Sequence, residues 1–240
     1  MLHDNEKLED LEYEGLKIIQ DKDGYCFTSD SVLLANLVNI KKSDNVVELG
    51  SGSGVISILL SAKYNANKIV GVEIQERLAD MAIRSIEYNN LSENIEIINK
   101  PMQGIEKELG NNWDVVITNP PYAKQIVKKD SYTEDEICKS EIMVTLDDVV
   151  ITASKLLKFG GNFYMINKAN RLIDAICSMR ENNLEPKKIY FIQPKLSKDI
   201  DTFIIVGKKG GKSSILLPKP IIIYDEDGNY TPLLRRMYNK

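Results

Sequence analysis

The strongest constraint on this chain is an alternation of short apolar runs with longer stretches of helical spacing, sustained from Asn45 to Gly207. NVVEL (Asn45–Leu49), KIVGVEI (Lys68–Ile74), IEIIN (Ile95–Asn99), WDVVITN (Trp113–Asn119) and NFYMIN (Asn162–Asn167) are short and rich in Val and Ile. They read as strands, the most apolar of them buried on both faces. Gly54–Ala62, Gln75–Asn90, Thr145–Lys158 and Arg171–Asn182 read as helices. In Gln75–Asn90 the apolar positions Leu78, Met81, Ala82 and Ile86 fall on one side,. Such a series predicts right-handed crossovers and a mostly parallel sheet with helices on both faces. Two further runs, KKIYFIQ (Lys187–Gln193) and DTFIIVG (Asp201–Gly207), have no helix between them. The short Pro194–Ile200 link predicts an antiparallel last strand. The expectation is an α/β fold with a seven-stranded sheet.

Outside the series the signals are local. Residues 1–15 read as a leader or one short helix, LEDLEYEG. Residues 16–29 alternate around Asp23-Gly24 and suggest a small hairpin,. Ser29 or Asp30 is a plausible N-cap for the Leu-rich helix that follows. The tail is punctuated by GKKGGK (Gly207–Lys212) and by Pro218 and Pro220. The organisation expected is leader and hairpin (1–29), main domain (30–210) and an extension packed on that domain (211–240).

Several classes of chemistry are disfavoured. The only histidine is His3, which argues against histidine-based nucleophilic catalysis and histidine-ligated metal,. No metal site is expected. Cys26, Cys138 and Cys177 lack zinc-ligand or redox spacing and read as buried free thiols,. No apolar run approaches the ~20 residues of a membrane span, and the acidic, polar start lacks a signal-peptide pattern, so the expected location is the cytoplasm. The net charge of −4 is unevenly spread. Residues 1–122 hold 11 basic and 20 acidic side chains, and residues 123–240 hold 20 and 15. A basic second half is compatible with an RNA contact surface and equally with an ordinary solvated face.

Between the first strand and its helix runs VVELGSGSGVISI (Val46–Ile58). Gly50, Gly52 and Gly54 allow a tight turn and close approach of a ligand to the backbone. The spacing departs from the dinucleotide fingerprint, because Val55 stands where its third glycine belongs,. Glu48 just before the loop would repel a pyrophosphate and suits a cationic or zwitterionic ligand. The fourth strand ends in Asn119-Pro120-Pro121-Tyr122, which composition alone would make a strand-terminating turn,.

The loop resembles motif I of the class I S-adenosylmethionine-dependent methyltransferases. That resemblance implies a Rossmann-like methyltransferase fold, S-adenosyl-L-methionine as cofactor, and a grip on both ribose hydroxyls by Glu73. It implies an adenine contact near NKPMQG, where Pro101 occupies the usual acidic position and Met102 can offer its backbone N–H. NPPY resembles the signature of amino-methyltransferases acting on conjugated nitrogens. The family's scheme makes Asn119 and the Pro120 carbonyl acceptors for the target N–H groups and lets Tyr122 stack on its flat face. Catalytic roles are thereby assigned to Asn119, Pro120, Pro121 and Tyr122, and Asn119 also borders the cofactor.

GYCFTSDSVLLANLV, LLKFGGNFYMINKANRL, MRENNLEPKKIYFI and PLLRRMY together are similar to the bacterial tRNA1(Val) adenine-37 N6-methyltransferases. On that likeness Thr28 and Asp30 lie over the methionine end of the cofactor. tRNA is then the partner, and Gly160-Gly161 with Lys168, Arg171, Lys187, Lys188, Lys195, Lys208, Lys209 and Lys212 form a phosphate-contacting rim. The chain departs from the family's Arg-His-Glu in having Lys139-Ser140-Glu141. The alternatives are a protein glutamine N5-methyltransferase, a DNA or rRNA adenine-N6 methyltransferase, and an inactive cofactor-binding RNA-binding module.

Overall fold

The computed structural model describes residues 2–22, 29–122, 136–137 and 141–238. An antiparallel hairpin comes first, β1 (Glu6–Asp10) and β2 (Lys17–Asp21). Helix α1 (Ser29–Leu37) leads into the α/β series. The series runs β3 (Asn45–Leu49), α2 (Val55–Tyr64), β4 (Lys68–Glu73), α3 (Glu76–Tyr88), β5 (Ile95–Asn99), α4 (Glu106–Leu109) and β6 (Trp113–Thr118). It continues with α5 (Leu146–Leu156), β7 (Leu157–Lys168), α6 (Leu172–Glu181), β8 (Leu184–Gln193) and β9 (Thr202–Lys209). β10 (Ile221–Ile222) and α7 (Pro232–Met237) close the chain.

The main sheet has the order β10-β8-β9-β7-β6-β3-β4-β5. β5, β4, β3, β6 and β7 are parallel, and β9 is antiparallel to both β7 and β8. The antiparallel β9 follows from the short Pro194–Ile200 link, since a parallel neighbour would need a longer crossover. The strand count is eight rather than seven. The added strand is the two-residue β10, which lies parallel to β8 and was too short to leave a pattern. Order reverses at β3/β6, so the first two crossovers run one way and the next two the other, leaving a crevice at the carboxyl ends of those strands.

Side chains alternate across the sheet and form two cores. Val46 of β3 joins α1, α2 and the C-terminal Leu234, Met237 and Tyr238. Val47 and Leu49 join α5 and α6 through Val150, Ala153, Ala175 and Met179. A strand buried on both faces explains why NVVEL reads as continuously apolar. α5 starts with a capping box, Thr145 and Asp148 satisfying each other's backbone N–H groups,. No helix among the described residues is long and apolar enough to cross a membrane.

The N-terminal expectation needs correction. Leu8–Asp10, expected in a helix, is strand, and the hairpin turns at Glu12–Gly15 rather than at Asp23-Gly24. Glu12, Glu14 and Gly15 have positive φ there, and Leu11 N–H donates to Leu16 O. Asp23-Gly24 lies outside the described residues. The hairpin docks on α3, where Ile19 N–H donates to Ser85 Oγ at 2.9 Å and Asn89 bonds both polar groups of Lys17's backbone. The Arg84 guanidinium grips buried Glu6 with two hydrogen bonds and holds that carboxyl down at about 2,. The thiol expectation also changes: Cys177 is exposed, and Cys26 and Cys138 lie outside the described residues.

Candidate active site

A cleft partly open to solvent lies at the carboxyl ends of β3, β4, β5 and β6. Gly50, Gly52, Glu73, Met102, Asn119, Pro120 and Pro121 line it together. Residues far apart in the sequence therefore meet where the topology places a crevice.

The glycine loop forms the floor. Gly50 and Gly52 have φ of 71° and 53°, a region that penalises other residues,. A Cβ on Gly52 would meet no protein atom within 4 Å, and one on Gly50 would only graze Met102 Cε at 4.0 Å, so both face open space. Gly54 has a different task. It caps α2, and its would-be Cβ stands 3.2 Å from Ala82 Cβ of α3. It allows close packing and lines neither recess.

Two carboxyl groups flank the loop. Glu73, at the end of β4 and only 5% exposed, accepts from Gly52 N–H at 2.8 Å and Gln75 N–H at 2.9 Å. Asn99 holds the strand end by donating to Glu73 O at 2.9 Å. Glu48 sits behind the loop, 1% exposed, and accepts from Ser57 N–H at 2.9 Å in the first turn of α2. Burial pushes its carboxyl up to about 8, against the lowering effect of the Ser57 donors,. It borders a smaller recess with Ser31, Gly50, Gly52, Ser53 and Asn119. Glu48 is therefore a buried group whose protonated form burial favours, rather than an open carboxylate in the main cleft.

The Asn119 side of the cleft is a side-chain network. Asn119 follows the last residue of β6, whose Thr118 hydroxyl donates to Leu49 O at 2.9 Å and ties β6 to β3. The Asn119 Nδ2 donates to Ser31 Oγ of α1 at 3.1 Å, which fixes Oδ1 as the acceptor left for other partners,. The Tyr122 hydroxyl lies in a close contact with Asn119 Oδ1 and 3.0 Å from Asp30 Oδ2. Lys168, from the end of β7, stands 5.4 Å from the Tyr122 ring centroid and 3.8 Å from Asp30 Oδ2,. Buried Arg171 pairs with Glu141 at 2.7 Å and donates to Tyr122 O at 3.4 Å. Glu141, which follows the departure from the family's Arg-His-Glu, thus anchors the chain beyond NPPY.

Asp30 and Tyr122 join the site through hydrogen bonds, although neither lines the cleft. Thr28 lies outside the described residues. Met102 is in place beside Gly50, buried. Ile74, Lys100, Gln103, Met143 and Val144 also line the cleft and were not anticipated. Ile74 was detectable as the residue after Glu73, whereas Ser31 carried no local signal.

The expected phosphate rim does not form as one surface. Lys168 is paired with Asp201 at 2.8 Å and Arg171 is buried. Lys209 is half-buried on Ser154 O. Lys195, in the loop after β8, donates to Glu226 O, and Lys188 lies against Tyr190 mid-strand. Lys187, Lys208 and Lys212 lie at the opposite end of the sheet, because β9 runs away from the cleft.

Comparison with known proteins agrees with this geometry. The model of the methyltransferase small domain matches residues 27–181. A tRNA1(Val) (adenine(37)-N6)-methyltransferase of Actinobacillus pleuropneumoniae is 21% identical, the match covering 96% of each chain. A putative protein N5-glutamine methyltransferase of Methanocaldococcus jannaschii is 38% identical over 51% of this chain and 60% of its own. A crystal structure of a predicted O-methyltransferase from Agrobacterium tumefaciens shares the fold, with a TM-score of 0.72 at 21% identity over 88% of this chain and 95% of that one.

Proposed function

This chain belongs to the methyltransferase small domain family, and on that ground we propose that it transfers a methyl group from S-adenosyl-L-methionine to N6 of an adenine in tRNA. One observation carries the reading. Asn119 opens on the same cleft as the glycine loop and Glu73, and its amide nitrogen is occupied by Ser31, so its oxygen is the acceptor of the pair, held by the Tyr122 hydroxyl until a target amino group displaces it.

The residues present fit the cofactor. Gly50 and Gly52 leave open space where side chains would stand, and Glu73 offers a carboxylate at the strand end. Ser51 Oγ, in the loop itself, is buried and has no hydrogen-bond partner among the described residues. Glu73 would hold the ribose hydroxyls, Met102 would pack on the adenine, and Asp30 would neighbour the methionine end. When bound, S-adenosyl-L-methionine supplies an electrophilic methyl group on sulfonium.

The acceptor chemistry follows from a conjugated amine. Its lone pair is shared with the ring, so it is a weak nucleophile, and no base removes its proton usefully at neutral pH. Asn119 Oδ1 and the Pro120 carbonyl accept its two N–H bonds, which favours a tetrahedral nitrogen and stabilises the growing positive charge. Pro121 holds the turn that presents this carbonyl. The target amino group takes the place of the Tyr122 hydroxyl at Asn119 Oδ1, and the freed Tyr122 ring stacks on the flat base. The base must leave its stack, at less cost in an RNA loop than in a duplex. The chemistry needs no histidine.

The similarity to tRNA methyltransferases over 96% of the chain favours RNA, since it includes the hairpin and the C-terminal tail. The 38% identity to the glutamine methyltransferase favours a second reading, methylation of a glutamine amide, which is also a conjugated nitrogen. The test is incubation with methyl-labelled S-adenosylmethionine and either unmodified tRNA or a release-factor-like protein. Label recovered as N6-methyladenosine is the expected result. Label recovered as N5-methylglutamine would overturn the substrate and leave the Asn119 mechanism intact.

A further inference from the structure

The end of the sheet opposite the cleft carries a second surface that the methyl transfer does not use. Along the β7/β9 pair, Lys168 stands beside Thr202 at the cleft end and Asn162 beside Lys208 at the other. At ~3.3 Å per residue this puts Lys208 on the order of 20 Å from the cleft rim. Lys41 and Lys42 before β3, Lys208 at the end of β9 and Lys212 in the next turn are all exposed. Their side chains make no ion pair among the described residues. Lys41 is close enough to act on Asp114, which pairs with Lys158 next to Phe159, so these cations share one end of the molecule.

Phe159 stands among them at 82% exposure, the highest of any large apolar side chain among the described residues. Its ring is supported, for it lies against Gly210, where a Cβ would collide with it. Neighbouring Gly160 brings the Lys208 stem close, its would-be Cβ 3.9 Å from Lys208 Cε. A solvent-facing ring braced by a glycine turn and bordered by unpaired ammonium groups has the two elements of single-strand recognition. One is a flat face for stacking a base; the other is cations for the flanking phosphates. A purely acidic protein partner would match the lysines and leave the ring without a use.

We propose that this end of the sheet is a second RNA-binding surface, with Phe159 stacking an unpaired base and Lys208 and Lys212, aided by Lys41 and Lys42, meeting the adjacent phosphates. It positions the same RNA whose adenine enters the cleft, and to that extent rests on RNA as the substrate.

The full chain and its Phe159→Ala and Lys208→Gln/Lys212→Gln variants are compared for affinity to unmodified tRNA across a salt series. Methylation kinetics and thermal unfolding are measured in parallel. Phe159→Ala weakens tRNA binding roughly 5- to 100-fold, raises KM and leaves kcat at saturating tRNA unchanged. The double variant lowers the slope of log K against log salt by about 1.4. Wild-type affinity and slope in both folded variants would overturn the surface even if tRNA is methylated. RNA binding that the variants weaken, with label going to protein instead, would support the surface and overturn only the substrate. A wild-type chain that binds no RNA overturns both.

Discussion

The two sides of the cleft are built differently. The cofactor side is a backbone device: a strand, a turn of positive-φ glycines and a carboxylate at the next strand end, joined by Gly52 N–H to Glu73 at 2.8 Å. The acceptor side is a side-chain device assembled from α1, β6 and β7, in which Ser31, Asp30 and Lys168 converge on Asn119 and Tyr122. A backbone device tolerates change in everything but its glycines and its carboxylate. A side-chain network fixes the orientation of one amide and depends on each member. Damage on the first side should therefore appear in cofactor affinity, and damage on the second in turnover.

The largest effect expected is from Asn119→Ala. Loss of a preorganised acceptor aimed at developing charge lowers kcat by roughly 10²- to 10³-fold. Cofactor affinity, measured by calorimetry, stays within about threefold. Retained turnover would end the assigned mechanism, and a loss confined to cofactor binding would erase the division between the two sides. Glu73→Ala gives the converse. Removing two charge-assisted hydrogen bonds weakens S-adenosylmethionine binding by roughly 10- to 100-fold. Unchanged affinity in a folded Glu73→Ala protein would remove the ribose assignment.

This contrast also decides what could be read from the amino-acid sequence. The strand–helix series, the antiparallel β9 and the cleft's glycine floor follow from short-range patterns, because hydrophobic runs, link lengths and turn glycines each constrain residues close in sequence. The acceptor network was only half legible. Asn119 and Tyr122 stand in one tetrad, but Ser31 is 88 residues away from Asn119 and nothing around it marks its partner. In the sequence Lys168 and Arg171 read as RNA contacts, because a lysine or arginine looks the same whether solvated or paired. Tertiary packing decided that both serve internal ion pairs. The hairpin turn departs from its local signal for a related reason. Asp-Gly is the stronger local signal, yet docking on α3 through Glu6, Ile19 and Lys17 selects the register that turns at Glu12–Gly15.

Glu48 sharpens the comparison through pH. Burial raises its carboxyl from 4.5 to about 8, so the folded chain keeps a proton that the unfolded chain releases. For a raised carboxyl the contribution to stability is full below about 4.5 and is lost as pH rises from there to about 8. The slope over that window is at most about 1.4 kcal/mol per pH unit. Denaturation of wild-type and Glu48→Gln proteins between pH 5 and 8 measures it. The variant should lack that part of the slope, and identical slopes would mean that Glu48 is ionised on Ser57.

The smallest effect tests the seam between the two sides. Ser31 is 6% exposed and borders the recess shared by Glu48, the glycine loop and Asn119, so it belongs to both. Among the described residues its hydroxyl joins the network by accepting from Asn119 Nδ2 at 3.1 Å. Ser31→Ala removes about 1 kcal/mol of hydrogen bonding and lets the amide sample the flipped state, in which a donor faces the target's N–H. The expected loss is about 3- to 10-fold in kcat, with KM for the acceptor and cofactor affinity nearly unchanged. Ser31→Thr keeps the hydroxyl and restores most of the rate. If alanine and threonine are equally slow, the defect is one of packing around α1. If alanine instead weakens cofactor binding and spares kcat, Ser31 serves the backbone side, and the acceptor orientation of Asn119 is set without it.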